Sequence, residues 1–305
     1  MLGALTGFVT IGVVIGVGIL VAHLGLFDLR AQQVLSRLAF FVGSPCLMAL
    51  TISEADVAKM LSANLIASAG SVVVAGGGWI LLARLLFKSD AGETTIGALS
   101  SAYVNAGNLG IPIAAYALGD AALVAPTLLM QLIVIQPLAM VVLDRHTRGG
   151  GGVRRVLVTA TTNPLTIGSL IGLLMALTGL RLPTMIHAPV ELLAELAVPA
   201  MLLGYGIALR LGPGLGAGIG AKLWATCTLK LVVQPVVAWA IAAGLLGAQG
   251  VPLLAIVVTA ALPTAQNIFV HATRYDVATG LARDTILLTT LGSVPVILLA
   301  VLLLS

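Results

Sequence analysis

Ten runs of roughly 20 apolar residues recur along this chain, and they constrain its fold more than any other feature. An α-helix needs about 20 such residues to cross the hydrocarbon core of a bilayer. Candidates fall at residues 7–26, 33–52, 61–86, 95–118, 122–143, 155–178, 189–209, 222–246, 251–274 and 278–304. Water cannot host such a chain. Only 9% of its 305 residues are charged and 59% are hydrophobic, whereas a soluble domain carries about 25% charged residues. The expectation is an all-α integral membrane protein of ten transmembrane helices, with the lipid bilayer as its solvent. The first run has no basic residue ahead of it, unlike a cleaved signal peptide, and is expected to stay as a span.

Charge placement then orients the chain. Fifteen Lys and Arg against eleven Asp and Glu leave a net charge of +4. In a soluble protein that balance would raise nucleic acid as a partner. Here the basic residues sit in short connections and read as topology signals, so no nucleic acid is expected. The connections after runs 1, 3, 5, 7 and 9 hold Arg30, Arg37, Arg84, Lys88, Arg145, Arg148, Arg154, Arg155, Arg210, Lys222, Arg274 and Arg283. The opposite side holds Lys59 and Arg181, and Lys230 lies inside run 8. The positive-inside rule puts the first set in the cytoplasm and both termini outside a cytoplasmic (inner or plasma) membrane. The central connection DRHTRGGGGVRR is charged and glycine-rich, a flexible linker. The chain thus divides into a first five-helix repeat at 1–147, a cytoplasmic linker at 148–154 and a second repeat at 155–305. Five spans per half is an odd number, so the second half enters the membrane inverted, the plan of many secondary transporters.

Proline and amide residues recur at matched places in the two halves. Run 2 holds Ser44-Pro45-Cys46 and run 7 holds Val198-Pro199-Ala200. Run 4 holds Asn105-Ala106-Gly107-Asn108-Leu109-Gly110-Ile111-Pro112, and run 9 holds Leu262-Pro263-Thr264-Ala265-Gln266-Asn267. Proline removes an N–H and glycine weakens a helix. A membrane helix breaks only where protein or water satisfies the freed backbone groups. Runs 4 and 9 are therefore expected to be discontinuous and to cross near the midplane, restarting at Pro112 and at Pro263-Thr264. Restarted helices offer positive N-terminal ends to an anion, and the interrupted halves offer carbonyls to a cation. Asn105, Asn108, Gln266 and Asn267 add side-chain donors and acceptors. The expected ligand is a small organic anion, with H+ or Na+ as possible coupling ion and no cofactor.

The pattern of Asn105, Gly107, Asn108, Gly110 and Pro112, with Pro45 in run 2 and Ala261–Asn267 in run 9, resembles the auxin efflux carrier family, which includes plant PIN carriers and many bacterial members. The resemblance spans the whole chain. It implies the bile-acid-symporter-like fold, with scaffold and transport domains each drawn from both repeats, and elevator-type alternating access. It also implies organic-acid substrates of the malate and malonate class. The long cytoplasmic loop of the large plant carriers is missing, so auxin is not implied.

Charged groups at membrane depth are functional candidates by default. Lys230 could attract an anion, pair with a carboxylate, or snorkel to the surface. His271, one turn past Asn267, could carry protons or sit neutral with a hydrogen-bond partner. Ser44, Pro45 and Cys46 could line the site or pack helices. Tyr103 reads as packing or interface. The two cysteines, Cys46 and Cys227, lie in separate halves, so neither a disulfide nor a metal site is expected. No His-Glu-x-x-His motif or paired intramembrane Asp supports an enzyme. A channel or a membrane-embedded sensor is the alternative to a carrier, and a homodimer is compatible with either.

Overall fold

The structure, a computed structural model, describes residues 2–54, 57–148, 164–212 and 220–304. Among them the backbone forms helical rods and no β-strand. In chain order these are α1 (Leu2–His23), α2 (Leu29–Glu54), α3 (Val57–Leu85), α4 (Ala91–Ala102), α5 (106–117), α6 (121–148), α7 (Pro164–Thr178), α8 (Thr184–Leu211), α9 (Ala221–Leu245), α10 (Gly250–Ala261), α11 (Asn267–Tyr275) and α12 (Thr279–Leu304). Among the described residues six helices are long and apolar enough to cross a bilayer: α2, the 64–85 portion of α3, α6, α8, α9 and α12. Val9–His23, α7 and α10 are shorter apolar helices. The chain is a multi-pass membrane protein. All but the first residue of the expected linker, with the start of run 6, lies outside the described residues.

Several rods begin with side-chain caps. Asp28 accepts from the Ala31 N–H at 2.8 Å and Asp90 from the Glu93 N–H at 2.8 Å. Asp120 accepts from the Ala122 N–H at 2.8 Å. Each carboxylate satisfies an orphan donor of a first turn and complements the positive helix end.

Proline also shapes the rods internally. Widened π turns occupy Ala39–Gly43, Ala106–Gly110, Gln131–Ile135 and Leu229–Val233. Each of these four ends two residues ahead of a proline, Pro45, Pro112, Pro137 and Pro235, while a fifth, Ala240–Leu245, has none. A proline cannot donate to the carbonyl four residues back and its ring crowds that carbonyl, so the preceding turn opens instead of breaking. Run 4 re-enters as a π turn at Ala106–Gly110, and the α-helix proper, Ile111–Ala117, begins with Pro112 in its first turn, as expected.

Chain contacts group into two compact units. The first comprises Met1–Ser62, Gly107–Leu129 and Thr161–Gly212. Its helices meet backbone to backbone at glycines, as expected where lipid offers no hydrophobic drive and close approach must hold helices together. A Cβ on Gly18 would lie 2.5 Å from the Leu203 carbonyl, and one on Gly206 would overlap the Ile15 carbonyl. Gly168 of α7 likewise sits on the Pro45 backbone of α2, and Gly172 on the Ala49 carbonyl.

The second unit comprises Ala63–Ala106, Met130–Ala160 and Pro213–Ser305. Trp79 of α3, fully buried, fills the notch that Gly97 of α4 leaves open. An apolar cluster of Ile96, Leu99, Tyr103, Leu143, Ile268 and Tyr275 joins α4, α6 and α11. At its edge the Tyr275 hydroxyl donates to buried Asp144 at 2.9 Å. Lys222 meets Glu93 at 2.6 Å.

Candidate functional site

Both breaks exist. Run 4 leaves its helix after Ala102 and re-enters at Ala106; run 9 leaves after Ala261 and re-enters at Asn267. In the intervening segments, Tyr103–Asn105 and Leu262–Gln266, the chain pairs antiparallel at Val104 and Thr264. The Asn105 N–H donates to the Pro263 carbonyl at 2.8 Å, and the Ala265 N–H donates to the Tyr103 carbonyl at 3.1 Å. This is the flanking pattern around a non-hydrogen-bonded antiparallel pair. Pro263 has no N–H to return to Asn105, so the ladder ends there. Pro263 and Thr264 thus belong to the pairing, and the restart falls later, at Asn267.

In a strand, alternate residues direct their backbone groups to opposite edges. Tyr103 and Asn105 face the run 9 segment, so Val104 faces the other way, where no strand waits. Gln131 of α6 takes that place. Its Oε1 accepts from the Val104 N–H at 2.6 Å and its Nε2 donates to the Val104 carbonyl at 3.0 Å. One buried amide stands in for a third strand.

Gln136, beyond the same π turn, braces the opposite end. Its Oε1 accepts from the Tyr103 hydroxyl at 3.1 Å and from Asn267 Nδ2 at 3.3 Å. Hydrogen bonds in a π turn run between residues five apart, which brings Gln131 and Gln136 closer to one face of α6 than an α-helix would. Tyr103, read from the sequence as packing, is a working member of this network.

The second brace comes from α9 and α12. Gln234 Nε2 donates to the Ala102 carbonyl at 2.9 Å, the last of α4. Lys230 Nζ donates to Gln234 Oε1 at 2.6 Å and to the Ala260 carbonyl, near the end of α10, at 2.9 Å. Lys230 is fully buried. It neither snorkels nor pairs with a carboxylate among the described residues. The Thr264 hydroxyl donates to the Ser100 carbonyl. The Thr264 N–H donates to Thr289 Oγ1 at 3.1 Å. Four polar side chains from three helices therefore bond backbone groups that the two broken helices expose.

Gln266 and Asn267 are half-buried at the start of α11. Asn267 Oδ1 and both ring nitrogens of His271 have no hydrogen-bond partner among the described residues. His271 is buried and shares a small void with Tyr103 and Gln136.

The remaining predicted residues fall in the first unit. Gly107 and Asn108 are half-buried and Gly110 and Pro112 buried, all on α5. A Cβ on Gly107 would meet Leu165 at 3.8 Å. Ser44 donates to Met201 Sδ at 3.8 Å, and Pro45 lies under Gly168, so this end of run 2 is closely packed. Cys46 is half-buried. A cavity of about 460 Å³ in the second unit runs between α3, α4 and α6 from Arg84 to Tyr103. None of the sequence-predicted site residues lines it.

The chain matches the family described as "Membrane transport protein" over residues 4–149 and 153–301. It is similar to a protein of Rhizobium meliloti (strain 1021) named "Putative malonate transporter", with 28% identity over 291 residues, 91% of this chain and 88% of that relative.

Proposed function

The chain belongs to the membrane transport protein family, the auxin efflux carrier family its motifs resemble, and from that premise we propose that it is a secondary active transporter of a small organic anion. The pairing of two broken helices carries this reading. A membrane protein that interrupts two helices and supplies buried amides to satisfy the interruption has built a polar locus inside a low-dielectric slab. Two helices restart there, at Ala106 and Asn267, and their N-terminal ends favour negative charge.

In this reading ten spans form two inverted five-helix repeats, with both termini outside the cytoplasmic membrane. Asn105, Gly107, Asn108 and Gly110 of run 4, with Pro263, Thr264, Gln266 and Asn267 of run 9, make the anion site. Pro112 keeps the turn through Gly107 and Asn108 wide. The unit that carries the pairing is the mobile transport body, and alternating access is of the elevator type. The malonate description of the relative makes a short dicarboxylate the first substrate to try.

The experiment is uptake of labelled malonate into proteoliposomes, with a thermal-stability series over mono- and dicarboxylates. A ligand held only by the folded state raises stability by about 2.7 kcal/mol at a hundredfold excess over Kd. Carboxylate-dependent uptake and stabilisation, both lost in Asn108→Ala at unchanged expression, are the expected result. Wild-type uptake by Asn108→Ala would remove that residue from the site. Uptake that never exceeds the driving gradient and never saturates would favour a channel.

A further inference from the structure

Lys230 raises a question that the carrier reading leaves open: what balances the negative ends of the two interrupted helices? α4 ends at Ala102 and α10 at Ala261, and their last carbonyls lack partners within the helix. Each C-terminal end carries roughly half a negative charge, so the pair presents about one negative charge within a low-dielectric slab. A carrier can meet that with a metal cation held by carbonyl oxygens. Here a side chain is already there. Lys230 Nζ lies 2.9 Å from the Ala260 carbonyl and 2.6 Å from Gln234 Oε1, and Gln234 reaches the Ala102 carbonyl at 2.9 Å. One lysine and one glutamine, a helical turn apart, thereby tie both helix ends to a single ammonium.

Resting on the carrier reading for its consequence, we propose that the Lys230 ammonium is the resident cation of the helix crossing, occupying the place of a coupling Na+, so that anion transport here runs without sodium. Burial supports the assignment. No carboxylate pairs with Lys230 among the described residues, so its charge is matched by backbone and amide oxygens, the oxygen donors a Na+ would take. The ammonium has three N–H donors, and two are spent on these oxygens. The arrangement is also fixed in position, because the same Gln234 that accepts from Lys230 anchors α4.

The test uses the full-length protein in two readouts. In proteoliposomes, replacing Na+ by choline is expected to leave wild-type malonate uptake unchanged, while Lys230→Ala in choline loses about tenfold or more, the cost of orphaned oxygens. Adding Na+ or ethylammonium is expected to recover part of that loss. In detergent without substrate, Na+ or ethylammonium raises the melting temperature of Lys230→Ala and not that of wild type. Lys230→Gln serves as a second variant if the alanine protein does not fold. Wild-type uptake that collapses in choline, or a wild-type melting temperature that rises with Na+, overturns the proposal. So does a Lys230→Ala protein that matches wild type in choline. If wild type takes up no malonate under any condition, the substrate reading fails, and the melting series still decides the role of Lys230.

Discussion

Gln131→Leu should be among the most damaging single substitutions in the second unit, although Gln131 is uncharged and of ordinary size. Its amide is 1% exposed and makes two hydrogen bonds to one residue, accepting from the Val104 N–H at 2.6 Å and donating to the Val104 carbonyl at 3.0 Å. Leucine preserves much of the volume and removes both bonds. The Val104 backbone groups are then left without a partner in a place water does not reach. Each orphaned buried polar group costs about 1–3 kcal/mol, so the pair sets a range of about 2–6 kcal/mol. Side-chain hydrogen bonds measured within a membrane protein average only about 0.6 kcal/mol, since the unfolded state in lipid finds partners too. That places the expectation at the low end, about 2 kcal/mol. Reversible unfolding in mixed micelles reads the stability change, and amide exchange at Val104 reads the local one. The Val104 amide should lose protection beyond the global change, because its acceptor has gone. A Gln131→Leu protein within about 0.5 kcal/mol of wild type, with Val104 still protected, would refute the claim that this amide stands in for a strand.

Other consequences can be checked alongside. Thr264→Val keeps the shape and loses the hydroxyl bond to Ser100, and should cost about 1 kcal/mol; Thr289→Val, which loses the acceptor for the Thr264 N–H, should cost at least as much in the same unfolding assay. Gly168→Leu drives a side chain into the Pro45 backbone and should cost about 3 kcal/mol or prevent folding; Gly244→Ala, where a Cβ meets nothing within 4 Å, should be neutral by melting temperature. Pro112→Ala restores an N–H and should let the 106–110 turn tighten, with new amide protection at residue 112 and weaker anion binding by thermal shift. Exchanging the charges of Lys222 and Glu93 should recover stability that either single reversal loses, by less than about 1 kcal/mol, because the pair is part-exposed.

Much of this arrangement was legible in the chain before any coordinates, and the reason is specific to lipid. Runs of 20 apolar residues have one use, and a proline with two asparagines and two glycines inside such a run cannot be continuous helix. The break in run 4 and its counterpart in run 9 follow from those residues. The details of the restarts did not follow. Pro112 does sit in the first turn of the α-helix Ile111–Ala117, but a π turn at Ala106–Gly110 precedes it, and run 9 restarts at Asn267, past Pro263 and Thr264. A π turn also precedes Pro45, Pro137 and Pro235, whereas Pro189, Pro199 and Pro295 sit in helices without one, so proline marks such a turn at some places in this chain and not at others.

The larger omission was the glutamines. Gln131, Gln136 and Gln234 carry no charge, so a search for costly intramembrane charges passes over them. Yet the inference that two helices break carries a demand with it. Every carbonyl and N–H freed at membrane depth needs a partner, and those partners must come from other spans. Polar residues long enough to reach a neighbouring backbone, and capable of both donating and accepting, are few in such a sequence. Gln131 and Gln136 lie in run 5, while Lys230 and Gln234 lie a turn apart in run 8. A break deduced from Pro263 and Asn105 is therefore also a deduction about glutamine elsewhere. The side chain that completes a broken membrane helix should be sought among amides before charges, with Lys230 the case where the helix ends themselves call for a cation.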